Sequence, residues 1–154
     1  MINKVFILLF IGMLMTNISF SQSQPKKVHS THVNYGNNID APLTQKELSQ
    51  ITEVYGSEAE KYVLNIPQRL KDIKHILRNR VHIVEYPGKD LSSFKKLSQV
   101  PLFNEYNKSL KRDLVVDKNN FNPLKYQFQF FSKESYKIRV DNTQYLIIIN
   151  SQFD

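Results

Sequence analysis

Apolar residues recur every three or four positions between residues 44 and 78, and this spacing predicts helices. The first helix follows the capping-box sequence Thr44–Glu47 and ends near Gly56. A turn or short helix continues from Ser57 to Leu64. A second clear helix begins at Pro67, whose missing N–H suits a first helical position. The apolar faces consist of Leu48, Ile51, Val54 and Tyr55 in the first helix and of Ile66, Leu70, Ile73 and Leu77 in the second.

Runs of β-branched residues, or residues that alternate between apolar and polar, predict strands further along the chain. One strand covers Val81 to Tyr86, and another covers Leu124 to Phe131, where aromatic and polar residues alternate. Tyr136–Val140 and Tyr145–Ile149 flank the turn-forming residues 141–143 and predict a hairpin. The last of these strands is apolar on both faces, so we expect it to be the most deeply buried.

Two shorter segments have weaker patterns. Asp90 is a suitable cap for a helix that would bury Leu91, Phe94 and Leu97, and Leu114-Val115-Val116 fits a short strand. Helices followed by neighbouring antiparallel strands are typical of the α+β class. We therefore predict an α+β fold with N-terminal helices followed by a small, mainly antiparallel sheet, a C-terminal β-meander.

The start of the chain has the layout of a secretory signal peptide. Lys4 precedes the apolar stretch Val5–Met15, and small residues at Ser19 and Ser21 predict cleavage after Ser21. The stretch is shorter than the roughly 20 residues that cross a bilayer, so an uncut anchor is the second interpretation. Residues 22–42 are polar and predict a flexible leader, and residues 43–154 predict a single α+β domain.

The amino-acid composition limits which cellular compartments and which kinds of functional site suit this protein. The chain contains no cysteine, which excludes thiol nucleophiles, disulfides and Cys-based zinc sites. An exported domain without disulfides fits a bacterial periplasm or the external medium, so we predict a periplasmic or secreted protein. The formal charge is +7, and only Lys4 of the signal contributes to it. We expect no metal and no cofactor.

The basic charge is concentrated on and around the second helix. Its neighbour, residues 44–60, is acidic, so the two segments either attract each other inside the fold or leave a cationic surface for an anionic ligand. We predict that the cations lie on the outer side of the helix. Reversing charges on that side should then abolish a salt-sensitive interaction and leave the melting temperature nearly unchanged. The predicted binding residues are Arg69, Lys71, Lys74, Arg78 and Arg80.

The other candidate groups give weaker evidence of a functional site. His29 and His32 have metal-compatible spacing, but no nearby carboxylate completes a ligand set. On a regular strand His82 and Glu85 point to opposite faces, so they do not form an acid–base pair. Residues 117–120 lack the glycine and the final glutamate of a calcium loop, which favours a solvated turn. The aromatic residues of the 121–136 region favour core packing over a nucleic-acid platform.

These observations favour a small exported bacterial protein that is a non-catalytic binding or structural module of the cell envelope. Its partner would be an acidic protein or an anionic envelope polymer that meets the basic helix, and nucleic acid is not expected. The alternative is a small envelope hydrolase without a recognisable motif. That alternative requires His82, Glu85 or Asp117 to converge with another polar group in a deep pocket. We predict no catalytic residue.

Overall fold

The computed structural model describes residues 32–153 of the 154-residue chain. The predicted signal peptide, its cleavage site and His29 lie outside the described residues. Among residues 32–153, none of the helices has the length and apolar content that crossing a bilayer requires. The main elements are helices α1 (Gln45–Tyr55) and α2 (Pro67–His75) and strands β1 (Val81–Glu85), β2 (Tyr136–Arg139) and β3 (Tyr145–Ile149).

The capping box at the start of α1 forms as predicted. The Thr44 side chain accepts a hydrogen bond from the Glu47 N–H at 3.2 Å, and the Glu47 carboxylate accepts one from the Thr44 N–H at 2.8 Å. Gly56 ends the helix with φ of 55° and ψ of −134°, a conformation that strongly favours glycine. A 3-10 turn, Gly56–Glu58, and a π turn, Glu60–Leu64, then connect α1 to α2.

The three strands form one antiparallel sheet in the order β1-β3-β2. Ile147 of β3 lies between Ile83 of β1 and Ile138 of β2. The strand that is apolar on both faces is therefore central, and Leu146, Ile147 and Ile149 are buried, as the sequence predicted. Helices precede this small antiparallel sheet, which confirms the α+β class.

The segment Leu124–Phe131 is not a strand, so that prediction is wrong. It begins with the 3-10 turn Pro123–Lys125 and pairs with another segment only through one isolated bridge. The Phe128 N–H then donates to the Tyr126 carbonyl at 2.8 Å, and the Phe130 N–H donates to the Phe128 carbonyl at 2.9 Å. These tight turns satisfy two of the amides locally, and the Gln127 N–H donates to the Pro101 carbonyl at 2.9 Å beside the isolated bridge, so no continuous strand pairing forms.

Two other predicted elements also take different forms. Asp90 does not cap a helix, because its carboxylate accepts hydrogen bonds from the Ser92 N–H and hydroxyl at 2.8 Å and closes a local turn. Regular structure resumes only in the 3-10 turn Leu97–Gln99. Leu114 and Val115 belong to no strand and lie in an exposed loop.

Two adjoining apolar cores support the helices and the sheet. Val81 and Phe130 pack against both cores, so the cores are continuous. The first core lies around α1 and α2, and the second lies against the sheet. Their buried members are Ile51, Val54, Tyr55, Ala59, Val63, Ile73, Ile76, Leu110 and Leu124 in the first and Leu97, Val100, Phe121, Tyr126, Phe128, Ile138, Val140, Ile147 and Ile149 in the second.

Part of the predicted leader packs against α2. Ile39 is buried, and the Tyr35 hydroxyl donates to the Asp72 carboxylate at 2.5 Å. The Arg78 guanidinium donates to the carbonyls of Ala41 and Pro42 at 3.2 and 2.8 Å. The domain limits stay a prediction, but these contacts attach residues 35–42 to the helical part of the fold.

Candidate ligand-binding cleft

The predicted basic residues do not lie on one exposed face. Arg69 is exposed and Lys71 is partly exposed, with its Nζ 4.7 Å from the centroid of the Tyr35 ring. Lys74 and Arg80 are buried, and the Arg78 side chain is only 11% exposed. The prediction that these cations lie together on the outer side of the helix is therefore wrong. The binding role of the residues stays a prediction.

Arg78 forms an ion pair inside the fold. Its Nε lies 2.5 Å from Glu47 Oε1, and its Nη2 lies 2.7 Å from Glu47 Oε2. This pair realises the interpretation in which the acidic and basic segments attract each other. Reversing the charge of Arg78 would place two carboxylates together, so that substitution cannot test binding without also changing stability.

Arg80 connects the π turn after α2 to the end of β3 through hydrogen bonds. Its Nε and Nη2 donate to the Asn150 carbonyl at 3.1 and 3.0 Å, and Nη2 also donates to the Phe130 carbonyl. Burial lowers the pKa of Arg80, and within residues 32–153 no carboxylate forms an ion pair with it. Its hydrogen bonds are therefore structural.

A π turn explains why helical spacing misplaced these two cations. The chain leaves the α-helical pattern after His75, and Ile76–Arg80 winds as a π turn. Hydrogen bonds from i to i+5 place each later residue at an angle that a 3.6-residue period does not assign. The sequence shows the basic residues, but it does not show this change of winding.

Arg69 instead lines a cleft that is formed by separate stretches of the chain. The cleft has a volume of about 570 Å³ and contains Phe103, Phe128, Phe130 and the exposed Phe131 in its wall. Its volume falls in the range of small-molecule sites, which are mostly apolar with a few polar groups. The remaining lining residues are Tyr55, Asp72, Ile73, Ile76, Asn104, Glu105, Lys108, Leu124, Tyr126 and Gln127.

The aromatic wall results from the turns that replace the predicted strand. Phe128 and Phe130 pack edge to face, with ring centroids 5.8 Å apart, while Gln127 and Gln129 are exposed. Phe103 also lines the cleft, and its N–H donates to the Lys125 carbonyl at 2.7 Å. The alternation in the sequence thus identified Phe128 as inward-facing and Gln127 and Gln129 as exposed. It wrongly assigned the buried Lys125 to the polar face.

The charged groups at the cleft differ in how many hydrogen bonds and ion pairs they form. The Asp72 carboxylate accepts hydrogen bonds from Tyr35 at 2.5 Å and from Gln68 at 2.9 Å. Arg69 has only a long contact, 3.5 Å from Nη2 to the Tyr55 hydroxyl, and this hydrogen bond raises its pKa. Arg69 joins none of the ion pairs found among residues 32–153. Its positive charge is therefore available to a ligand.

The other candidate residues do not converge on this cleft. The His82 ring contacts the Asn79 carbonyl at 3.0 Å, and Glu85 is exposed at the other end of β1. The Asp117 carboxylate accepts hydrogen bonds from Asn119 and Asn120 at 2.9 and 2.6 Å, as expected for a solvated turn. Within the described range, no group of three His, Cys, Asp or Glu residues is placed to hold a metal.

Sequence reasoning did not identify the cleft, because its walls come from separate stretches of the chain. Arg69 belongs to α2, Phe103 and Lys108 follow the Leu97–Gln99 turn, and Phe131 lies far beyond them. The one usable signal was Phe131 directly after Phe130, which breaks the alternation of the preceding residues. No family model, no curated protein and no solved structure matches this chain.

Proposed function

We propose that this protein is an exported, non-catalytic binding module that holds an anionic, largely apolar ligand in the aromatic cleft. The observation that carries the proposal is the position of Arg69, an exposed cation that joins none of the ion pairs among residues 32–153 and lines the same cleft as four phenylalanine rings. An apolar body fits such a wall, and an acidic group fits the cation. An acyl chain with a carboxylate or phosphate has both properties.

The anionic character of the ligand follows the expectation drawn from the basic helix, with a smaller set of residues. Arg69 supplies the charge, and the exposed Lys108 adds a second cation along the same cleft. Glu105 and Asp72 also line the cleft, and each would repel a second acidic group placed beside it. A ligand with one acidic end and an uncharged body therefore suits this distribution better than a uniformly charged polymer.

The energetic terms of such a contact predict weak, millimolar affinity for a single-chain ligand. Burying about 200 Å² of apolar ligand surface contributes about 5 kcal/mol. A charge-assisted hydrogen bond from Arg69 adds about 1.5–3 kcal/mol. Lost translational and rotational freedom offsets several kcal/mol of this gain. With an offset of at least about 4 kcal/mol, about 2.5–4 kcal/mol remains, so we expect dissociation constants of about 1–15 mM for a twelve-carbon ligand.

Calorimetric titration with dodecanoate, kept below its micelle concentration, tests the proposal. The Arg69→Glu variant should bind at least about tenfold more weakly than the natural protein, because one charge-assisted contact is replaced by repulsion. Lys71→Glu is the matched control: the charge change is the same, but the residue lies beside Tyr35 and outside the cleft lining. Unchanged affinity in R69E, or an equal loss in K71E, would refute this role of the cleft.

Export is a separate part of the proposal and rests on the pattern of residues 4–21. N-terminal sequencing of protein recovered from the periplasm or medium should begin at Gln22. Protein that retains Met1 and remains with the membrane would instead support the uncut anchor. This result does not depend on ligand binding, so the two parts of the proposal can fail independently.

A further inference from the structure

Two apolar side chains are almost fully exposed in the middle of the loop formed by residues 111–118. Leu114 is 101% exposed and Val115 is 84% exposed, and neither joins one of the two apolar cores. Single exposed apolar residues are common on proteins, but two adjacent ones form a contiguous apolar patch, the kind of feature that marks contact sites when it is large enough. We call Leu114 and Val115 the apolar tip.

The chain before the apolar tip is held by buried and half-buried polar contacts. Arg112 donates from its two terminal nitrogens to the carbonyls of Leu97 and Val100, each at 2.7 Å. The Asp113 carboxylate accepts a hydrogen bond from Lys125 at 2.5 Å. These contacts attach the loop to the body of the protein immediately before Leu114.

The chain after the apolar tip is also fixed. Val116 is partly buried against the second core, and the Asp117 carboxylate closes a turn through hydrogen bonds to Asn119 and Asn120. The apolar tip is therefore presented by an anchored loop. Less conformational entropy is lost when an anchored loop is immobilised by a partner than when a free segment is.

Positive charges flank the apolar tip along the chain. Lys111 precedes it and Lys118 follows it, and both are exposed; Lys46 donates a hydrogen bond to the carbonyl of Asn119, directly after the loop. The two acids of the loop are engaged, Asp113 with Lys125 and Asp117 with its own turn. An exposed apolar pair with cations beside it in the chain matches the chemistry of an anionic lipid surface.

We infer that the apolar tip inserts into the interfacial region of an anionic bilayer while Lys111 and Lys118 contact lipid phosphates. A bilayer fits better than a protein partner because a specific protein interface needs roughly 1,000 Å² or more of contact. Two exposed side chains supply only a small part of that area. A bilayer, in contrast, accepts individual apolar side chains, and binding of this kind is weak and reversible.

A single tryptophan tests where contact occurs, since the chain has no tryptophan of its own. In the full chain, L114W emission should shift to shorter wavelength when vesicles of phosphatidylglycerol and phosphatidylcholine are added, and brominated lipid should quench it. I66W is the matched control, because Ile66 is another exposed apolar residue outside both the apolar tip and the cleft lining. Residues 1–21 are common to both proteins, so a difference between them reports on the apolar tip.

Partition measurements provide the second arm. Leu114→Ser combined with Val115→Ser should weaken sedimentation with these vesicles at least about tenfold. Lys111→Glu and Lys118→Glu should each weaken it about fivefold and reduce its sensitivity to salt. Vesicles of phosphatidylcholine alone should bind the natural protein less.

Three results would overturn the inference: no L114W shift with anionic vesicles, an equal shift in I66W, or unchanged partition of the double serine variant. An L114W shift produced by a protein extract but not by vesicles would also overturn it and would assign the apolar tip to a protein partner. Dodecanoate binding in the cleft is measured separately, so failure here leaves the proposed function untouched.

Discussion

Arg78 holds Glu47 through two parallel hydrogen bonds, with Nε 2.5 Å from Oε1 and Nη2 2.7 Å from Oε2. The side chains are 11% and 9% exposed, so both charges are largely removed from water. Glu47 also belongs to the α1 capping box, and Arg78 also binds backbone carbonyls of residues 38–42. This one pair therefore links α1, the π turn that follows α2 and the segment before α1.

Glu47→Gln should lower the free energy of unfolding by about 2–3 kcal/mol at neutral pH, because the buried guanidinium loses its charged partner. Urea unfolding followed by circular dichroism measures this change. Glu58→Gln is the control, since Glu58 pairs with Lys61 at 3.8 Å on an exposed surface and should change stability by less than about 0.5 kcal/mol. Equal losses in the two variants would contradict the structural role of the pair.

The free energy of unfolding should also decrease as the pH falls. The hydrogen bond from Arg78 is the main cause that lowers the pKa of Glu47 from 4.5 to about 2, against the opposing effect of burial. Because the folded-state pKa is depressed, the contribution is complete above about pH 4.5 and is lost as the pH falls toward 2. The loss is roughly 2–3 kcal/mol.

Unfolding midpoints measured between pH 6 and 2 should therefore fall more steeply in the natural protein than in E47Q. The amide cannot release or bind this proton, so that part of the acid dependence is missing from the variant. Parallel curves for the two proteins would show that the carboxyl titrates alike in the folded and unfolded states.

Lys125→Met should destabilise the fold by about 2 kcal/mol, because Lys125 is 5% exposed and its Nζ lies 2.5 Å from Asp113 and 3.0 Å from Glu53. Without the ammonium group of Lys125, the carboxylates of Glu53 and Asp113 face each other across an apolar side chain. Adding Asp113→Asn should restore about 1 kcal/mol by removing one of those charges. Lys111→Met, at an exposed position, should be nearly neutral. A double variant no more stable than K125M would contradict this account.

Gly56→Ala should cost about 1–2 kcal/mol in unfolding free energy. The added methyl group meets no atom within 4 Å, so the cost arises from the backbone, which has φ of 55°. Ser49→Ala, on the exposed side of α1, is a control for the composition of the helix and should be neutral or slightly stabilising. A G56A protein as stable as the natural one would show that this residue readily leaves the left-handed region.

Local signals in the sequence were sufficient for much of the fold. Thr44 and Glu47 lie three residues apart, so their capping box could be recognised without tertiary information. The alternation in β2 and the continuous apolar run in β3 identified the hairpin and its central strand. In each case the residues that decide the structure are close together in the chain.

The site could not be predicted in the same way. In the sequence, Lys125 belongs to the polar face that also contains Gln127. In the structure Lys125 is buried, because Glu53 and Asp113 from other parts of the chain neutralise its charge. The π turn after His75 changed the side on which the last cations of the basic helix lie. The basic composition was visible in the sequence, and the availability of Arg69 depends on long-range contacts.

The central claim is that the cleft selects an acidic head group on an apolar body, and fluorescence of the F131W protein tests it most directly. Phe131 lines the cleft and is 68% exposed, so a ligand there should change the emission. We predict saturable binding of dodecanoate, little response to dodecyltrimethylammonium at equal concentration, and loss of the dodecanoate response when Arg69→Glu is added. Equal responses to the two head groups, or a dodecanoate response that survives the removal of Arg69, would contradict the account.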